Sequence, residues 1–119
     1  MIAALTAEIT DEVSAALDGL AATVTDQPHE AVSALMAGAP AVIVLPPEIE
    51  WQTATRRTAT WSVWTITPTT DPTEATAMFD PILAILAPVL LPDRARAETY
   101  EIGDRTLPGY TLTFTTEHI

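Results

Sequence analysis

Two histidines, sixteen carboxylates and five arginines are the side chains with which this chain could move a proton, hold a metal or meet a charged partner. Cysteine and lysine are both absent, which excludes thiol nucleophiles, thiolate metal sites, disulfides, Schiff-base chemistry and a P-loop lysine. His29 lies in a predicted turn and His118 lies beside the C-terminus. Neither stands in a recognisable nucleophile–base spacing, and both read as solvent-exposed. Among the carboxylates, Glu48 and Glu50 share one face of a predicted strand, and paired carboxylates are what glycoside hydrolysis uses. Their alternation with Ile49 and Trp51 better fits the wet side of a strand, or the acidic partner of an arginine pair. Asp11-Glu12 and the acids from Asp71 to Glu74 fit helix starts and solvated helix faces, and no calcium-loop spacing with its central glycine is present. The four glycines allow neither a G-x-G-x-x-G nor a P-loop pattern. No catalytic residue, cofactor site or metal site is expected, and the chain reads as non-enzymatic.

The bases Arg56, Arg57, Arg94, Arg96 and Arg105 are outnumbered by acids, leaving a net charge of −11. Such a surface repels phosphate backbones and anionic membranes, which argues against nucleic-acid binding through a basic groove and against a membrane partner. Arg56 adjoins Arg57, and Arg94 stands near Arg96. On an acidic molecule such pairs can bridge to a neighbour's carboxylates; as turn residues they would simply face water. A length of 119 residues suits one domain with a modest core, and residues 1–119 are read as a single unit. The hydrophobic share of 48% against 18% charged is on the apolar side for a soluble chain, yet no purely apolar run approaches the roughly 18 residues of a membrane span. The first residues carry no basic stretch, so no export signal is expected.

The elements that must position these side chains follow from hydrophobic period. Ile2, Leu5, Ile9, Val13, Ala16, Leu17 and Leu20 recur at three and four, predicting an amphipathic helix over 2–20. Ala21 to Thr25 can form a short extended piece before the turn at Asp26-Gln27-Pro28, and Pro28 to Met36 suits either a short helix stopped by Gly38 or a loop. Ala41-Val42-Ile43-Val44-Leu45, bounded by prolines, reads as a buried strand. With Ile49 and Trp51 alternating after the prolines, it opens the first of two long strands joined by a polar turn near Ala54 to Thr58, the second running from Thr58 to Thr67. In that second strand Trp61 and Val63 point one way, Trp64 and Ile66 the other, so neither face is polar and the second face needs a partner. Asp71 as N-cap, Pro72 and Glu74 mark a helix start with a capping-box pattern. The apolar stripe then continues in phase to about Leu91, predicting one long helix bent at Pro81, or alternatively two helices with Asp80 capping the second. Two closing strands are read around Tyr100 and Tyr110 to Phe114, with turn chemistry at Gly103-Asp104 and Pro108-Gly109. The sum is an α+β two-layer domain, a mainly antiparallel sheet of about four strands packed against two principal helices on one side.

In this order, with its Pro40 to Pro47 strand "PAVIVLPP" and its Leu107 to Phe114 close "LPGYTLTF", the chain resembles the tail terminator proteins of long-tailed bacteriophages. The likeness is to the small forms typical of phages that infect actinobacteria. It implies a structural virion protein of the tail and neck, made in the host cytoplasm. Its subunits would form a ring, a homohexamer, at the head-proximal end of the tail tube. That ring would stop tube growth and join the tail tube protein to the head–tail connector. Another neck component, a head–tail connector or head-completion protein, is the alternative in the same setting, and a soluble small-molecule-binding protein with a Trp-lined pocket is the alternative outside it. A ring has two different sticky patches per subunit. The residues read as candidates for them are Trp64 and Ile66 on the second sheet face, the arginines Arg56, Arg57, Arg94 and Arg96, and the acids Glu48 and Glu50. If Trp64 faces a neighbour, Trp64→Glu leaves the isolated fold largely intact and abolishes ring formation in light scattering; loss of folding would instead place that side chain in the core.

Overall fold

The structure, a computed structural model, describes residues 2–118. Its spine is a pair of long strands, β4 (Arg57–Ile66) and β6 (Arg105–His118), antiparallel and in register from Arg57 opposite His118 to Ile66 opposite Gly109. Strand β5 (Arg94–Ile102) pairs with the far side of β6. The near side of β4 is shared by two short strands, β2 (Ala41–Val44) against Val63–Ile66 and β3 (Glu48–Trp51) against Arg57–Thr60. Pro46 and Pro47 stand between them and have no N–H to donate, so the long strand expected from Ala41 onward divides in two. β1 (Thr23–Thr25) adds to the outside of β2 in parallel. The sheet is therefore mixed and six-stranded, in order β1-β2-β4-β6-β5 with β3 beside β4, where about four antiparallel strands were expected.

The alternation read in β4 holds. Ala59, Trp61 and Val63 point to one face, where α1 (Ile2–Ala16) and α3 (Pro72–Leu90) lie. Val13, Leu17, Ile82 and Leu86 close over them there, each nearly or fully buried. Trp61 is 1% exposed, stacks on Phe114 at 6.2 Å and donates its indole N–H to the Thr116 hydroxyl at 3.0 Å, so its one polar atom is satisfied while its ring is dry.

The opposite face is where the two-layer expectation needs correction. The segment 28–36 does form a helix, α2 (Pro28–Met36), joining the parallel pair β1 and β2. It lies on the side away from α1 and α3, and its Ala31 and Leu35 pack with Ala41, Ile43, Ile66 and Leu107 in a second core. A nine-residue helix presenting two small or medium apolar residues is enough to roof that end of the sheet. The partner that this apolar patch requires is thus another part of the same chain.

The helix ends also differ in detail. α1 ends at Ala16, four residues before the apolar stripe does, and Gly19 in the turn that follows has φ +98°. α3 runs unbroken through Pro81 and Pro88 as one helix. Asp71 caps it by accepting from the Thr73 N–H at 3.1 Å, but Glu74 does not complete a capping box; its carboxylate accepts from the Thr69 hydroxyl at 2.9 Å. With 19 residues and a mean hydropathy of 1.4, α3 has the length and composition to cross a bilayer. Here Ala75, Phe79, Ile82, Leu86 and Leu90 are buried within the fold.

Gly109 lies opposite Ile66 and Glu98 in the middle of the sheet, and a Cβ there would collide with the ring of Tyr100 and with the Thr65 carbonyl. The carbonyl belongs to the central strand and cannot retreat. Gly109→Ala is therefore expected to lower unfolding stability by about 1–3 kcal/mol, read as a fall in the denaturant midpoint with unchanged far-UV circular dichroism of the remaining folded protein.

Candidate subunit interface

Cross-strand neighbours share a face, which places each candidate residue. Glu48 and Glu50 on β3 lie opposite Thr60 and Thr58. Those threonines lie opposite Thr115 and Glu117 of β6. Two and four residues back along β6, Thr113 and Thr111 lie opposite Arg94 and Arg96 of β5. All four charged residues therefore point to the α2 side of the sheet, beyond the region α2 covers. They are exposed. Between the two acids on one edge and the two arginines on the other runs a floor of Thr58, Thr60, Ser62, Thr111, Thr113 and Thr115.

Arg56 and Arg57 separate. Arg56, in the β3–β4 turn, makes an ion pair of 2.9 Å with Glu117, both side chains more than half exposed. Arg57 turns to the other face, its guanidinium 5.1 Å from the Trp51 ring centre. Both arginines are engaged within the chain, and exposed contacts of this kind contribute at most about 1 kcal/mol. Trp51 itself is 58% exposed, the only tryptophan on the outer surface among the described residues.

Two candidates move inward. Ile66 is fully buried between α2 and the sheet and cannot meet a neighbour, contrary to its reading as an interface residue. Trp64 is half-buried against the same cluster, with its ring 4.8 Å from that of Tyr100. The expectation for Trp64→Glu changes accordingly: a carboxylate set against Tyr100 and the second core costs folding stability before it tests assembly.

Tyr100, Glu98 and Thr111 form a polar cluster that sequence reasoning did not single out. Thr111 donates to the Glu98 carboxylate at 2.8 Å, and the Tyr100 hydroxyl bonds with Thr111 and reaches the same carboxylate at 3.5 Å. The alternation of Glu98, Tyr100 and Ile102 was visible, but bringing Thr111 across to them needs the β5–β6 register. Burial pushes the Tyr100 hydroxyl up to about 12, the nearby Glu98 charge adding to the rise and the Thr111 hydrogen bond opposing it.

Outside this sheet face, an apolar groove of about 350 Å³ opens between α3, the α1–β1 connection and the α2–β2 loop, lined by Leu20, Ala22, Pro40, Met78 and Ile82. Among the described residues no three His, Asp or Glu side chains gather as a metal site would need. Compared with known proteins, the chain matches no protein-family model and no curated protein.

A raised tyrosine pKa means that the native state holds its proton longer than the unfolded chain does. Its contribution is complete below about pH 10 and is lost as pH rises toward about 12. Unfolding free energy is expected to fall by about 2–3 kcal/mol across that window, at 1.36 kcal/mol per unit, and Tyr100→Phe should flatten the fall, measured by urea denaturation at stepped alkaline pH.

Proposed function

We propose that this chain is a structural subunit of a long-tailed phage that assembles with its own copies into a ring at the head-proximal end of the tail tube. There it ends tube polymerisation and offers the surface to which the head connector attaches. The observation that carries this reading is a sheet left open on two unlike edges, the short β3 on one side and the longer β5 on the other. An unpaired edge is a template for another strand, and two unlike edges on one subunit are what a closed head-to-tail ring uses. The resemblance in the "PAVIVLPP" and "LPGYTLTF" segments supports the phage setting. Structurally these segments are the inner strand β2 with its flanking prolines and the central part of β6.

The apolar groove beside α3 favours a second reading, a carrier for a small apolar ligand. That reading requires a dispersed monomer or dimer. Mixing the purified protein with isolated tail tubes distinguishes the readings. The terminator reading expects rings in negative stain and decoration of one tube end, with tubes that no longer elongate when tube protein is added. Binding to DNA-filled heads and not to tubes would make it a connector or completion protein. A monomer at every concentration, without affinity for tubes, overturns the proposal.

A further inference from the structure

Two of the open edges of the sheet, β3 and β5, are charged in opposite senses, while the remaining edge, β1, carries no charged residue. β5 carries Arg94 and Arg96 on the α2 side of the sheet, and neither has an ion-pair partner among the described residues. β3 carries Glu48 and Glu50 on that same side, likewise without one. Among the described residues no strand pairs with the outer edge of either. Charge on an edge strand is a common guard against unwanted pairing, because like charges set opposite each other across a ladder are destabilising. The guard here is selective. Two β5 edges meeting about a twofold axis near Arg94–Arg96 bring arginine to arginine, and two β3 edges bring glutamate to glutamate. The one pairing that sets unlike charges together is β3 on β5.

Direction and register agree with it. β3 is antiparallel to β4, β4 to β6, and β6 to β5, so β3 and β5 run in opposite directions within a subunit. Across the ladders Glu48 is level with Pro92, just before β5 begins, so a ring whose strands tilt to its axis, as barrel strands do, supplies the four-residue stagger that brings it opposite Arg96. β3 of one copy then meets β5 of the next as an antiparallel pair with the same faces aligned. Setting Glu48 opposite Arg96 then sets Glu50 opposite Arg94 without any further choice. Ile49 falls across from Ala95 on the other face, where Ala95 is exposed and small enough to admit it. Trp51, the exposed tryptophan, reaches Ala95 along the diagonal.

We propose that copies of this chain join edge to edge, β3 of one pairing antiparallel with β5 of the next, with Glu48 against Arg96 and Glu50 against Arg94. The partner is a second copy, and the contact is head-to-tail, so each copy keeps one edge of each kind free for the next. This deepens the ring reading and rests on it.

Charge reversal tests it. Glu48→Arg with Glu50→Arg, and separately Arg94→Glu with Arg96→Glu, each make the two edges alike. Either double variant is expected to raise the dissociation constant of assembly about tenfold or more, the equivalent of 1.4 kcal/mol, in sedimentation and light scattering, with circular dichroism unchanged. Mixing the two doubles restores opposite edges at every junction and should restore assembly, as should all four reversals in one chain. If the wild type assembles and the reversals assemble equally well, the edge pairing is wrong and the ring reading survives. If only one of the two double reversals alters assembly, that edge meets a surface other than its proposed partner and the proposal fails. If the wild type never assembles, the ring reading falls and this pairing with it.

A second measurement does not depend on how well the reversals fold. The chain has no cysteine of its own. Glu48→Cys with Arg96→Cys places two thiols three strand spacings apart across the sheet and four residues apart along it in one subunit, about 20 Å, beyond disulfide reach. Mild oxidation of this variant should give a ladder of covalent oligomers on a non-reducing gel. Monomer alone, from a preparation that light scattering shows to be assembled, overturns the pairing.

Discussion

The long antiparallel ladder between β4 and β6 is the constraint on which everything else in this molecule depends. It sets Val63 beside Leu112, Trp61 beside Phe114 and Trp64 beside Thr111. A slip of one residue would exchange the faces and send Trp61 to the threonine side. The ladder is held in place by contacts that work in one register only. Trp61 stacks on Phe114 and donates to Thr116, fifty-five residues away in sequence. Gly109 admits the Tyr100 ring where any larger residue would not. Every other element reads its position from this pair: β5 on one flank, β2 and β3 on the other, α1 and α3 over the Trp61 side.

The sheet's second face is divided, and the division governs what the protein can do with it. At the end built by β1 and β2, α2 roofs Ile43, Ile66 and Leu107 and makes a small core of its own. Beyond α2 the same face becomes a threonine floor bordered by Glu48 and Glu50 on one edge and by Arg94 and Arg96 on the other. An apolar face calls for burial, whereas a threonine floor is at ease in water and leaves the edges as the reactive feature. The assembly reading therefore moves from the faces of the sheet to its borders. The proposal that copies meet through greasy tryptophans gives way to one in which backbone pairing supplies the contact and charge selects the partner edge.

The polar cluster of Tyr100, Thr111 and Glu98 lies at the seam between these two regions. Its tyrosine is nearly buried against Trp64 and the second core, while its carboxylate is next in line after Arg94 and Arg96 along the open face of β5. It closes the end of the dry region with satisfied hydrogen bonds, so that the apolar patch stops without leaving a polar group stranded.

Much of this was legible before any coordinates. The helix over Ile2 to Ala16, the Asp71 cap with Pro72 behind it, the buried Ala41 to Val44 strand and the two-faced alternation of Trp61, Val63, Trp64 and Ile66 all depend on neighbours within a turn or two of chain, and period and turn residues report such neighbours. What remained for the tertiary structure was every question about which distant segment covers which. That α2 roofs Ile66, that Arg56 reaches Glu117 while Arg57 turns away to Trp51, and that Glu48 and Arg94 share one side of the sheet across three strand spacings are set by strand order and register between segments tens of residues apart. Local sequence carries the alternation of side chains along each strand, but not the neighbour that alternation will meet; that is decided only when the ladders close.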